Sequence, residues 1–207
     1  MLPTTIPIFP LPNVVLFPNV FLPLHIFEPR YRAMLADALA GDRIIGMTLL
    51  MPGYEADYQG RPPVYPVGCA GVITHSEQLA DGRSNVVLRG IEKFRILDED
   101  GSREYRLARI EPLPETANET EKKQLKQRRN RLEALLVAAI ERGGQDPRFP
   151  SAIPDEDLVN ALSQYLGLDP VERQALLERD GIVARCDGLI ELLEMKTYSG
   201  GGPRSVH

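Results

Sequence analysis

The chain has no tryptophan, only two cysteines and only three histidines among its 207 residues, and each scarcity removes a class of explanation. Cys69 and Cys186 lie far apart, have no CxxC spacing and sit among apolar neighbours. They read as reduced core thiols, not as a disulfide framework or a thiolate metal site. His25, His75 and His207 are too scattered for a metal-ligand pattern, and no HExxH occurs, so neither a structural zinc nor any other cofactor is expected. No window reaches the ~18 apolar residues of a membrane span. Met1-Leu2-Pro3-Thr4-Thr5 lacks the basic start and uninterrupted apolar stretch of a signal peptide, which points to a cytoplasmic protein. Positive charge is also short: the formal net charge is −5, so the molecule repels a phosphate backbone unless its cations are gathered on one face.

What is present is the composition of a folded protein. Hydrophobic residues make up 43% and charged residues 26%, away from the polar, highly charged range in which chains stay disordered. The length suffices for one large domain or two small ones without staples. From Ile6 to Glu111 short apolar runs alternate with turn residues: Ile6–Phe9, Val14–Phe17, Val20–Leu24, Arg43–Met51, Val67–Thr74, Ser84–Arg89, Phe94–Leu97 and Tyr105–Ile110. These read as strands. Pro7, Pro10, Pro12, Pro18 and Pro23 each remove a backbone donor, which suits the first part to edge strands and bends better than to a central strand. Glu28-Pro29 starts one helix, with Tyr31, Met34, Leu35, Ala38 and Leu39 at helical spacing and Gly41 closing it. Pro52 to Pro63 is a loop.

After Pro112-Leu113-Pro114 the composition changes to helix formers. Leu125, Leu132, Leu135, Leu136, Ala139 and Ile140 form one stripe, ended by Gly143-Gly144. Asp155 and Asp169-Pro170 start two further helices, and Ile182 to Met195 makes the last. Strands first and helices second predict an α+β fold.

Ile6-Pro7-Ile8-Phe9-Pro10-Leu11-Pro12-Asn13-Val14-Val15-Leu16-Phe17-Pro18 and Leu22-Pro23-Leu24-His25-Ile26-Phe27-Glu28-Pro29-Arg30-Tyr31 resemble the opening of the N-terminal domain of Lon proteases. Val67-Gly68-Cys69-Ala70-Gly71, Val87-Leu88-Arg89-Gly90 and Phe94-Arg95 are similar to that family's next motifs, and Glu172–Glu178 and Leu189–Glu194 to its helical part. The resemblance implies a PUA-like β-barrel over residues 1–115, a helical bundle over 116–198 and a disordered tail over 199–207. It also implies a bacterial-type module that recognises polypeptide for a proteolytic machine. No G-x-x-x-x-G-K-[ST] phosphate loop occurs, so a stand-alone domain without ATPase or Ser-Lys protease chemistry is expected, and no catalytic residue is assigned.

The expected partner is unfolded or extended polypeptide, with a protease or chaperone beyond it. The apolar, proline-rich stretch carrying Phe9, Leu11, Phe17 and Phe21 is the candidate contact surface, because apolar patches and open strand edges take extended chains without demanding one sequence. His25 either binds a peptide terminus or locks a turn. Glu28, Arg30 and Arg32 either grip a carboxylate at a helix start or cap the helix with solvated ion pairs, and Tyr31 beside them is a further candidate for peptide contact. Arg89 either faces a ligand or covers apolar surface with its stem. The rival reading is an RNA-binding PUA-like module, since the resemblance implies a PUA-like barrel and such barrels are also found in RNA-recognising proteins; the one basic run is Lys122-Lys123, Lys126, Arg128-Arg129 and Arg131. At helical spacing that run wraps around a helix, and no interleaved aromatic is there to stack a base.

Overall fold

The computed structural model describes residues 2–58, 60–141 and 153–199. The expected helix stop at Gly143-Gly144, His207 and all but the first residue of the expected tail lie outside the described residues. The fold is α+β. Six strands, β1 (Thr5–Leu11), β2 (Phe21–Ile26), β3 (Ile44–Leu49), β4 (Val67–Gln78), β5 (Ser84–Asp100) and β6 (Arg106–Leu113), are joined by one early helix, α1 (Pro29–Ala40). Four helices follow: α2 (Glu119–Glu141), α3 (Asp155–Tyr165), α4 (Pro170–Leu177) and α5 (Gly181–Ser199).

The chain forms two compact units, and their boundary is not the single cut near residue 115 expected from the resemblance. The first comprises residues up to Glu115 together with Asn160–Glu178, and the second comprises Thr116–Val159 with the residues from Arg179 onward. In the first unit the strands run in the order β2-β5-β4-β3-β1-β6, and β5 pairs again with β6. The circuit β5-β4-β3-β1-β6 is thereby a closed barrel, with β2 added to β5 outside it.

Closure depends on β5 being one long strand, where the sequence pattern suggests two. It pairs with β4 from Ser84 to Arg95 and with β6 from Lys93 to Asp100. Register shifts at Ala70/Gly71, Ile73/His75 and Ile96/Asp98 mark the irregularities that bend it from one partner to the next. Phe94, fully buried, fills the barrel beside Ile6, Ile8, Ala70, Ala108 and Ile110. Its ring fits only because two neighbouring strands carry glycine there: a Cβ on Gly46 would sit 2.8 Å from Phe94 Cζ, and one on Gly68 2.7 Å from the same atom.

The prolines of β1 do not confine it to an edge, since it lies between β3 and β6. The reason is a stagger. Residues 5–8 pair with β6 and residues 8–11 with β3. The Thr4 carbonyl accepts from Ile110 N and the Leu11 carbonyl from Leu50 N, so even residues turn their backbone groups to β6 and odd ones to β3. Pro7 therefore points its missing donor toward β3 before that pairing begins, and Pro10 points toward β6 after that pairing has ended. Val14–Phe17, expected as a strand, is not one. Val15, Leu16 and Phe17 are buried without a ladder, and the Phe17 amide donates to Gln164 Oε1 at 3.0 Å, which satisfies a donor that a strand would have paired.

The end of α3 and α4 belong to this unit through similar polar ties. Gln174 Nε2 donates to the Val67 carbonyl at 2.9 Å. Buried Lys93 donates to the Leu177 carbonyl at the end of α4 and pairs with Glu115 at 2.7 Å. In the second unit, Asn118 opens α2 by accepting from Thr120 N and Glu121 N while Glu121 accepts from Asn118 N, a reciprocal cap. Leu125, Leu132, Leu135 and Leu136 of α2, Leu158 and Val159 of α3, and Ile182, Cys186, Leu189 and Leu193 of α5 are buried.

Candidate functional site

The expected contact surface is only partly at the surface. Phe9 and Phe17 are 5% and 0% exposed, Leu11 is half-buried, and Phe9 packs its ring on Tyr31 at a centroid distance of 4.4 Å. Phe9 and Phe17 are thus core residues, since burying a phenylalanine stabilises by about 1.5–3 kcal/mol; Phe9 lies on the face of β1 opposite Ile6 and Ile8 and is covered by Tyr31 of α1. Of the expected apolar set, Phe21 alone stands out, at 51% exposure.

Phe21 is the first member of a row. Alternate residues of a strand share a face, and in β2 these are Phe21, Pro23 and His25, all exposed, while Leu22 and Leu24 are half-buried and Ile26 is buried. Phe27 extends the row just past the strand, 59% exposed and stacked on the His25 ring at 6.2 Å. Across the ladder, Arg89 lies opposite Phe21, Val87 opposite Pro23 and Asn85 opposite His25. Phe27 was not foreseen as a site residue. The two-residue period from Phe21 through His25 was the signal that could have found it.

His25 is held by neighbours on this face. Its Nδ1 lies 2.9 Å from Asn85 Oδ1 and its Nε2 3.3 Å from Arg83 Nη1, and Arg83 is in turn paired with Asp81 at 2.6 Å. A donor at Arg83 and an acceptor at Asn85 select the tautomer with the proton on Nδ1. The row is therefore a fixed surface.

The backbone edge of β2 is guarded. Gly90 N donates to the Val20 carbonyl on the β5 side, so odd residues of β2 turn their backbone groups outward. There the Phe21 carbonyl already accepts from Gln164 Nε2 and Tyr165 Oη, and Pro23 has no donor. Too few groups are left for an added strand to form a ladder, so the expected open edge is corrected to a face of side chains.

Glu28, Arg30 and Tyr31 form a separate, inward-turned cluster. Glu28 pairs with Arg30 at 3.1 Å and accepts from Tyr58 Oη at 3.2 Å, while the Arg30 guanidinium lies over the Tyr31 and Tyr58 rings at 4.6 and 5.6 Å. Arg30 also donates to the Tyr58 carbonyl. The cluster fastens the loop that follows β3 to the start of α1, and each charge has its partner inside it. Burial is the main reason the Tyr31 hydroxyl is pushed up to about 12.

The basic run of α2 is largely consumed within its own unit. Arg128 binds Asp187, Arg129 binds both Glu133 and Asp155, Arg131 binds Glu194 and Lys122 binds Glu119. Exposed Lys123 and Lys126 remain, a small remnant of the footprint that an RNA site requires. Cys69 and Cys186 are buried, whereas His25 and His75 are exposed, and burial is the first cause that pushes the Cys186 thiol up to about 11. A cavity of about 160 Å³ between β1 and α1 includes Asp37 and Tyr105, whose hydroxyl donates to Asp37 at 2.6 Å. It brings no nucleophile to a base. Among the described residues no group of three His, Cys, Asp or Glu side chains is placed to hold a metal ion, and no helix is long and apolar enough to cross a membrane.

A closed barrel with a strand added outside it, flanked by helices from the C-terminal part, matches known domains. The chain belongs to the family described as the ATP-dependent protease La (Lon) substrate-binding domain, whose model matches residues 5–195. It is 30% identical over 180 residues to Lon protease 2 of Syntrophobacter fumaroxidans, covering 86% of this chain and 22% of that protein. It is 24% identical over 213 residues to the Lon protease of Cytophaga hutchinsonii, covering 99% of this chain and 26% of that protein. The chain thus spans about a quarter of the length of these curated relatives. Its fold is that of the N-terminal domain of the Mycobacterium avium complex Lon protease, with a TM-score of 0.67 at 18% identity over 92% of this chain and 98% of that one. A Lon N-terminal domain protein from Xanthomonas campestris gives a TM-score of 0.62 at 20% identity over 91% and 98%. The matched family is a substrate-binding domain, a recognition element.

Proposed function

We propose that this protein recognises unfolded or extended polypeptide through the Phe21–Phe27 face of β2 and presents it to ATP-dependent proteolysis in the cytoplasm. The observation that carries the reading is the row itself: two half-exposed phenylalanines, Phe21 at the start of β2 and Phe27 just past its end, with Pro23 and His25 between them. Exposed aromatic side chains contribute large contact area at low entropic cost, and a row of them takes many sequences. Family membership supports a substrate-recognition role. Binding occurs through side chains, because the backbone edge beside them is guarded.

The test is binding of the purified chain to a carboxymethylated unfolded protein and to a structured RNA of matched length, at low and at physiological salt. The reading expects polypeptide binding that survives salt and is lost in the Phe21→Ser/Phe27→Ser double variant. Polypeptide binding unmoved by that variant, or steeply salt-dependent binding to RNA alone, refutes it.

A further inference from the structure

Among the described residues, most arginines are neutralised. Arg83, Arg106, Arg109, Arg128, Arg129 and Arg131 each hold a carboxylate at ion-pair distance. Two exposed arginines beside the Phe21–Phe27 row are not. Arg89, opposite Phe21, reaches only the Asn19 side-chain oxygen, at 3.4 Å. Arg32 lies where a side chain on Gly82 would be, in the turn that carries Arg83 toward His25. Neither has a carboxylate partner among the described residues.

A guanidinium left without a counter-charge keeps its planar fork of donors available to a carboxylate. Arg89 stands across the ladder from Phe21, and Arg32 stands beside the Gly82 turn, next to the Arg83 that reaches His25. We propose that the clients of this face are extended segments in which acidic side chains flank aromatic or aliphatic ones. The apolar groups lie on Phe21 and Phe27, and the carboxylates meet Arg89 and Arg32. Phe27 lies six positions after Phe21, roughly 20 Å along an extended chain, which a segment of about seven residues spans. The net charge of −5 repels acidic segments from the molecule as a whole, so the preference is local and short-ranged. This proposal rests on the recognition reading above.

The test uses the full chain and labelled peptides of about nine residues with two phenylalanines, flanked by aspartate, asparagine or lysine, followed by fluorescence anisotropy at low and high salt. The aspartate peptide is expected to bind on the order of fivefold more tightly than the asparagine peptide at low salt, the worth of one exposed charge-assisted pair. That advantage should fall at high salt and in Arg89→Gln, whose thermal unfolding should match the parent because the side chain is exposed. If all three peptides bind equally and Phe21→Ser/Phe27→Ser still abolishes binding, the acidic preference is overturned and the recognition surface stands. If no peptide binds, or the double variant binds as well as the parent, the recognition reading itself has failed. An oligonucleotide that displaces the aspartate peptide and loses affinity in Arg89→Gln also overturns the proposal.

Discussion

The Phe94 ring is lodged against Gly46 and Gly68, and this close packing makes a prediction whose outcome depends on which atom does the blocking. A methyl group at position 46 meets Phe94 Cζ at 2.8 Å, Ile6 Cδ1 at 2.9 Å and Phe94 Cε1 at 3.0 Å, all of them side-chain atoms. A methyl group at position 68 meets Phe94 Cζ at 2.7 Å and also the Met47 carbonyl oxygen, which belongs to the paired strand. Gly46→Ala should therefore destabilise by about 1–3 kcal/mol, the usual cost of overpacking a filled core. Phe94→Leu removes the obstructing ring atoms and should cost less than the ~3–5 kcal/mol of a phenylalanine truncated to alanine. Combined, the two should cost less than their sum by about 1–2 kcal/mol, since each relieves the other. Gly68→Ala should show a smaller rescue, because no side-chain change removes a carbonyl. Urea unfolding followed by far-UV circular dichroism suits a chain without tryptophan, and each kcal/mol corresponds to a shift of about 2–4 °C in Tm at this size. Strictly additive costs for Gly46→Ala and Phe94→Leu would show that the ring is not what excludes a side chain there.

Other outcomes follow from separate parts of the molecule. Burial first, and for Tyr105 the hydrogen bond to Asp37 next, raises Tyr31 and Tyr105 to about 12. The folded state then binds more protons than the unfolded one above about pH 10, so stability is complete below that pH and declines toward about pH 12. Urea midpoints that stay flat across this window would contradict the assignment. Arg30→Ala should open the loop between Pro52 and Pro63 to limited proteolysis while costing no more than about 1–2 kcal/mol globally, with polypeptide affinity unchanged. Pro23→Val combined with Tyr165→Phe should restore a free donor and remove one of the two hydrogen bonds that occupy the Phe21 carbonyl on the β2 edge, and light scattering should then report self-association. A variant that stays at the parent's mass would show that the edge was guarded by something else. Neither cysteine should react with a thiol reagent at about pH 8 in the folded protein, and both should react once it is unfolded.

Much of the architecture was legible in local patterns. Glu28-Pro29 and Asp169-Pro170 mark helix starts because proline is pre-set for the first turn, and α1 and α4 begin at Pro29 and Pro170. The stripe Leu125, Leu132, Leu135 and Leu136 is buried as its spacing requires. The segment between Leu22 and Tyr31 was legible as a family likeness, but its residues divide between two places in the fold. His25 stands on the outer face, whereas Glu28, Arg30 and Tyr31 turn inward to hold a loop whose Tyr58 is 30 residues from Glu28. Adjacency in sequence could not separate them, because what decides is a partner brought from afar.

Composition and local spacing determined which stretches become strands and helices, where several helices begin, and that the cysteines are core thiols, since these follow from backbone sterics and from which side chains water rejects. Only the tertiary structure decided that Phe9 and Phe17 are buried while Phe21 and Phe27 are not. It also decided that β5 bends to close a barrel, that the β2 edge is guarded, and that Arg89 lacks a carboxylate while Arg128 has one. Each of these turns on contacts between residues far apart in the chain, and a pattern read along the chain carries no information about what will arrive from elsewhere to cover it.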